Sequence, residues 1–223
     1  MSTVDAVLFD VNETLLGLDP VAKAFAAVGL DPRRVDAWFR AVLVDGIAAS
    51  AAGTFANFPD IARHMATMEL AAAELPTEAG AEDRIIEAFG ALEFHRDVRP
   101  ALERLQTAEV AAVTLTNGSA DVIRGALERA GLDGLVAGTW DVTEVGRWKP
   151  APEPYLWAAE RLALAPERLA LVAVHPWDVH GARAAGLQGV WIDRSGTGRY
   201  PPHLHPPTLS APDLVTAMDA LVG

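Results

Sequence analysis

An apolar, partly β-branched run over residues 4–9 ends abruptly in Asp10, and Thr14 follows four positions later. A carboxylate at the end of such a run can act as a nucleophile, a metal ligand or a base. Three further places offer polar chemistry. They are Thr116-Asn117-Gly118-Ser119, Lys149 within Trp148-Lys149-Pro150, and His175-Pro176-Trp177-Asp178. Each alone is a weak signal. Their order, their spacing and their shared position after strand-like runs make a set, because in open α/β sheets ligands collect beyond the carboxyl ends of the strands.

The elements that must bring these segments together are legible in outline. Residues 4–9 read as a buried strand. From 15 to about 95 there is almost no strand signal. Ala-rich amphipathic patterns at 21–28, 33–52, 61–75 and 82–92 predict helices, with breaks at Gly29, Gly53, Pro59, Pro76 and Gly90. Beyond residue 98, helices (99–108, 120–130, 152–162, 178–185, 211–222) alternate with strands (110–115, near 136–140, 169–174, 189–192). Alternation of this kind predicts an α/β fold with a parallel sheet and right-handed crossovers. The expected architecture is a doubly wound, Rossmann-like core (1–14 and 96–223). A small helical cap domain (15–95) is inserted after strand 1 and lies over Asp10. The Gly/Pro-rich stretch 195–207 reads as a surface loop.

Composition bounds the function. The chain has 223 residues with 18 basic and 30 acidic side chains, a net charge of −12. Such an acidic surface repels nucleic acid, while a few local cations still permit a small anionic substrate. No apolar run reaches the roughly 18 residues of a membrane span, and a strand starting at residue 4 leaves no room for a leader. A cytoplasmic location is therefore expected. The absence of cysteine excludes disulfides, thiolate catalysis and Cys-zinc sites.

The segments FDVNETL, LTNGS, WKPAPEPY, PWDVHGARAAG and VWIDR together resemble the haloacid dehalogenase superfamily, and most closely its L-2-haloacid dehalogenase (type II) branch. The likeness covers nearly the whole chain, and a helical cap after strand 1 also fits it. The resemblance implies that Asp10 is the nucleophile, that Thr14 bonds to it and fixes its rotamer, and that Lys149 is a cation beside it. That cation would lower the pKa of Asp10 and help hold an anionic substrate. Thr116 and Asn117, with backbone N–H groups at the start of the next helix, would bind a substrate carboxylate, and Ser119 would cap that helix. Tyr155 matches a family tyrosine near the nucleophile. Arg40 on the cap would receive the halide, with Arg63 as the fallback, because Trp38-Phe39-Arg40 has one residue more than the family's tryptophan-arginine pair. Trp177 would offer a ring edge to the halide, and Phe55 and Phe58 would line the cap side.

Two positions separate the chemistries. Superfamily phosphatases carry a second aspartate two residues after the nucleophile, and here that residue is Asn12, which cannot shuttle a proton. Metal-dependent relatives carry aspartates four apart in the last motif. Here Asp178 is preceded at that distance by Val174, an alkyl group of no use to Mg²⁺. The branch usually has Ser-Ser-Asn where this chain has Ala173-Val174-His175. His175 is therefore expected as a neutral base or water-holder oriented by Asp178; otherwise Asp178 activates water alone. The reaction implied is hydrolysis of a carbon–halide bond in a short 2-haloalkanoic acid. It would yield a 2-hydroxy acid through an aspartyl ester, with no cofactor and no metal. The alternatives are an Mg²⁺-dependent phosphatase acting on a small phosphoester, or a binding protein without turnover. The family often dimerises, so the resemblance also implies a homodimer.

Overall fold

In a computed structural model of the protein, which describes residues 4–74 and 79–223, the strand before Asp10 lies inside the sheet rather than at an edge. The chain runs through β1 (Ala6–Phe9), β2 (Leu16–Gly17), α1 (Asp19–Ala27), α2 (Val35–Ala51), α3 (Phe58–Ala72), α4 (Ala81–Glu87) and β3 (Glu93–Phe94). It continues through α5 (Val98–Thr107), β4 (Ala111–Thr116), α6 (Ala120–Ala130), β5 (Gly138–Asp141), α7 (Pro152–Arg161) and β6 (Leu169–Ala173). It finishes with α8 (Pro176–Ala184), β7 (Gln188–Ile192), β8 (Leu209–Ala211) and α9 (Leu214–Val222).

Six strands pair in the order β5-β4-β1-β6-β7-β8, every pair parallel. Side chains alternate across the sheet with period two. Val7, Phe9, Ala170 and Val172 join one core, with α5, α6 and α9; Ala6, Leu8, Leu169, Leu171 and Ala173 join the other, with α7 and α8. Both faces are covered, which is why these strands read as continuous apolar runs rather than alternating ones. The chain leaves β1 for β4 on one side and returns to β6 on the other. Asp10 therefore sits at the switch point, where a crevice opens beyond the strand ends.

The expectation of no strands between 15 and 95 needs a correction. β2 and β3 form an antiparallel pair, Leu16 opposite Phe94 and Gly17 opposite Glu93, where the chain leaves for the helices and comes back. Two residues per strand carry no periodicity to detect. β8 also falls between the expected loop and the last helix, and α9 begins only at Leu214, where the Asp213 carboxylate accepts from Thr216 N at 2.8 Å. α8 starts at Pro176, which puts Asp178 in its first turn. The expected break at Pro76 lies outside the described residues.

The inserted helices are tied to the sheet side of the molecule by Trp148. Its ring is fully buried and stacks on Phe58 with centroids 6.3 Å apart. Its Nε1 donates to Ala56 O (2.9 Å), and its backbone N–H donates to Ser50 Oγ (3.1 Å). The ring lies directly on Gly46 of α2; a Cβ there would fall 2.4 Å from Trp148 Cζ3. Gly46→Ala should therefore displace the ring and lower stability by about 1–3 kcal/mol, with a lower thermal midpoint. Because Lys149 follows Trp148 in the chain, activity should drop further than a surface Gly→Ala control allows.

Candidate active site

Asp10 leaves the sheet held by its own backbone, its N–H donating to Val172 O of β6 at 3.0 Å. The chain then closes a tight loop in which Leu15 N and Leu16 N both donate to Val11 O (2.8 and 3.1 Å). This loop turns Thr14 back onto Asp10. Thr14 Oγ1 donates to Asp10 Oδ2 at 2.7 Å and accepts from Val174 N at 3.0 Å. The threonine thus fixes the Asp10 rotamer and ties it to the end of β6.

Lys149 arrives from the loop after β5 and is wholly buried. Its ammonium donates to Asp10 Oδ1 (3.0 Å), to Asp178 Oδ2 (2.6 Å) and to Leu115 O of β4 (2.7 Å). All three of its protons are used. Tyr155, also buried, donates from its hydroxyl to Asp178 Oδ1 at 2.5 Å. Asp178 is therefore held at both oxygens.

Asn117 plays a different part from the one expected. Its Oδ1 accepts from Lys149 N (2.8 Å) and its Nδ2 donates to Lys149 O (3.0 Å), so both ends of the amide clamp the lysine backbone. Thr116 also works locally, its Oγ1 accepting from Gly118 N at 2.9 Å. The N-terminus of α6 is capped from outside. Ala120 N donates to Asp141 Oδ2 (3.0 Å), while Ser119 makes no capping bond with its side chain. The Asn117 side chain is thus committed to the lysine backbone, while Thr116 lines the small cavity at this strand end. That cavity, of about 50 Å³, is lined by Asn12, Thr116 and Ser119 with Phe58, Ile86 and Phe89. The signal for Ser119 was present in the Asn-Gly-Ser triplet, but a helix-capping serine looks the same in sequence.

His175 departs furthest from expectation. Its Nδ1 lies 2.9 Å from Asp10 Oδ2 and its Nε2 lies 2.9 Å from Glu13 Oε2. A neutral ring has one N–H and one lone pair, so it would turn a lone pair towards one of these carboxylates. Two carboxylate partners require two donors, which makes the ring an imidazolium. Burial alone would push His175 down, yet the hydrogen bonds and charges of Asp10 and Glu13 outweigh it and raise its pKa to about 9. The neutral base expected at His175 is thus corrected to a second cation. Glu13 was missed altogether, since nothing about an isolated glutamate in a loop marks it.

The charges are mutually consistent. Burial would raise Asp10, but Lys149, His175 and the Thr14 hydroxyl hold its carboxyl well below the usual carboxylate range. Burial would lower Lys149, but Asp10 and Asp178 keep it above its ordinary value. Burial raises Asp178, Lys149 opposes that, and the charge on Asp10 adds to it. Tyr155 is pushed well above its ordinary value by burial and by Asp178, so it stays a phenol.

A divalent metal does not fit this donor set. Lys149 already neutralises one oxygen each of Asp10 and Asp178, Tyr155 holds the other oxygen of Asp178, and Val174 supplies no oxygen from its side chain. Among the described residues no cluster of three or more His, Cys, Asp or Glu is arranged to hold a metal.

Arg40 of α2 is exposed and opens on a cavity of about 530 Å³ shared with Glu13, Leu43, His175, Trp177 and Arg194. Trp177 stacks on His175 at 5.1 Å and 29°. Arg63 is elsewhere, its Nε on Asp83 Oδ1 at 2.8 Å. Phe55 lines neither cavity.

A model of the haloacid dehalogenase-like hydrolase family matches residues 4–186. The chain is similar to haloacetate dehalogenase H-2 of Moraxella sp. (strain B), 26% identical over 207 residues, with 88% of each chain covered. It is similar to (S)-2-haloacid dehalogenase 2 of Pseudomonas sp. (strain CBS-3), 28% identical over 199 residues, with 87% of this chain and 86% of the relative covered. The fold matches the solved L-2-haloacid dehalogenase from Xanthobacter autotrophicus with chloropropionic acid covalently bound. There the TM-score is 0.88 at 23% identity, with 99% of both chains covered.

The His175 geometry generates a pH prediction. A folded-state pKa raised from 6.5 to about 9 contributes stability that is fully present below 6.5 and is lost as pH rises through 9. Chemical denaturation should show stability falling across that window by on the order of 2–3 kcal/mol. The slope should flatten in His175→Asn. Asp10 acts on the other side, its contribution present above the ordinary carboxylate value and lost only in strong acid.

Proposed function

We propose the following reaction on one premise: the chain belongs to the haloacid dehalogenase-like hydrolase family. It removes the halogen from a short 2-haloalkanoic acid by hydrolysis, through an ester on Asp10, and needs no metal. The observation that carries this reading is the Lys149 ammonium between Asp10 and Asp178. It keeps the nucleophile ionised, and with Asn12 in place of a proton-carrying acid the site suits displacement of a group that leaves without a proton.

The two oxygens of Asp10 are not equivalent. Oδ2 already accepts from Thr14 and His175, whereas Oδ1 accepts from Lys149 alone. Oδ1 keeps a free lone pair, and it attacks C2 of the substrate from the side opposite the halogen. The C–X bond breaks and halide leaves with the bonding pair. Halide needs no proton to depart, so Asn12 need not be an acid. Water then adds to Cγ of the ester, the Cγ–Oδ1 bond breaks, and the 2-hydroxy acid departs carrying Oδ1, with inverted configuration at C2. With His175 already protonated, Asp178 takes the proton that water gives up. Lys149 touches both Oδ1 and Asp178, so it delivers a proton to the departing oxygen and recovers one from Asp178; the water's second proton, left on the new Asp10 oxygen, passes to solvent as the carboxylate re-forms.

In this reading the substrate carboxylate meets Asn12 and Ser119, and its short alkyl part meets Phe58 and Phe89; the 50 Å³ of space beside them supports a small substrate. The helices between β2 and β3 act as the cap, and Arg40 with Trp177 receives the halide on the side of the larger cavity. Tyr155 and Asn117 hold Asp178 and Lys149 in position. The Mg²⁺-phosphatase alternative lacks both an acid at position 12 and a carboxylate ligand at position 174.

Racemic 2-chloropropionate should release free chloride with full activity in EDTA. Asp10→Asn should lower that rate on the order of 10⁴-fold. In ¹⁸O-labelled water, mass spectrometry should find the label first in the Asp10 side chain. Cleavage of p-nitrophenyl phosphate only with Mg²⁺, and no halide, would establish the phosphatase instead.

A further inference from the structure

Glu13 stands at φ +64°, a left-handed conformation that glycine adopts freely and a residue with a long side chain seldom does. Strain of this kind persists where surrounding contacts over-determine it, and it gathers at functional sites. Here the contacts are specific. Glu13 N donates to Leu16 O (2.8 Å), and Glu13 O accepts from His95 Nε2 (3.2 Å). The carboxylate, facing the larger cavity, meets His175 Nε2 at 2.9 Å. The left-handed turn is what aims this carboxylate back at a ring already bound to the nucleophile.

We infer that Glu13 is a positioning residue for the hydrolytic half of the reaction: it holds His175 so that His175 Nδ1–H and Thr14 Oγ1–H together form an oxyanion hole on Asp10 Oδ2. This rests on the dehalogenase reading above. Once Oδ1 is esterified, Oδ2 is the ester's carbonyl oxygen. When water adds to Cγ, the C=O π pair moves onto Oδ2, where donors already stand at 2.9 Å (His175) and 2.7 Å (Thr14). Those distances suit an oxyanion hole. Collapse of the adduct returns that pair to the C=O bond and expels the product oxygen. His175 gives up no proton and takes none; it is an electrophile held charged, not a base. The other charged groups around it are Arg40, Asp193 and Arg194 across the cavity and Lys149 beyond Asp10. None of them lies within hydrogen-bonding distance of its ring, so Glu13 is the partner that fixes the Nε2 proton. The contribution is to ester breakdown, because halide release places no new negative charge on Oδ2.

The test separates the two half-reactions. Glu13→Gln keeps a hydrogen-bond acceptor but loses the charge; Glu13→Gly removes the side chain, trading the His175 ion pair for an unstrained backbone, and its thermal midpoint reports whether it folds. In rapid-quench experiments with 2-chloropropionate both variants should release a first equivalent of chloride at the wild-type rate. They should then turn over about ten- to a hundredfold more slowly, with the acyl-enzyme accumulating in the intact-protein mass spectrum. The alkaline limb of the kcat profile should lie at lower pH in Glu13→Gln than in the wild type. Equal turnover in the variants, or a slowed first equivalent with no accumulated ester, would overturn the inference while leaving the dehalogenase reading intact. A wild-type enzyme that releases no halide overturns both. ¹⁵N spectra showing neutral His175 at pH 7.5 in the wild type overturn this inference alone.

Discussion

An ammonium group with no access to water sits between two carboxylates, and the rest of the site is arranged around that contact. Removing such an ion from water costs several kcal/mol, and only good geometry with every proton satisfied offsets it. Lys149 meets that condition through acceptors on three separate elements: Asp10 after β1, Leu115 in β4 and Asp178 in α8. Each partner is fixed in turn, Asp10 by Thr14, Asp178 by Tyr155 and the lysine backbone by Asn117. Removing Asp10, Asp178 or Lys149 would leave a buried charge short of its partner, the case in which an ion pair matters most.

The same constraint joins the inserted helices to the chemistry. Trp148 precedes the lysine, and its ring is received by Gly46, Ala56 and Phe58 of the insert. Movement of those helices is thereby felt one residue away from the ammonium. On the other side of the nucleophile His175 supplies a second positive charge, balanced by Glu13. Asp10 lies between the two cations, ionised, with one oxygen held by two donors and the other held by one. In the proposed reaction that asymmetry sets which oxygen attacks and which becomes the carbonyl of the ester.

Much of this was legible from residue order. The strand before Asp10 and the alternation after residue 98 follow from burial on both sheet faces, so α/β architecture could be read from apolar runs and breakers. Asp10, Thr14, Lys149 and Asp178 stood out because each follows a strand in a recognisable motif. Other roles were hidden. Asn117 was a polar residue at a strand end, and nothing in its identity says that its side chain clamps the backbone of Lys149. Glu13 carried no signal because its role depends on a left-handed turn and on a ring 162 positions away. β2 and β3 were invisible because two-residue strands are made by their pairing and not by their composition.

By itself, then, the sequence determined the set of chemical groups and the elements bearing them, since side-chain type and hydrophobic period are local properties. It also determined what was missing, a proton carrier at Asn12 and a metal ligand at Val174. Only the tertiary structure decided that His175 lies between two carboxylates, that the two Asp10 oxygens have different partners, and that Arg40 rather than Arg63 lines the cavity. Those depend on which charges lie within about 3 Å of one another and on how little water separates them. Distances of that kind belong to the packed chain and have no counterpart in residue order.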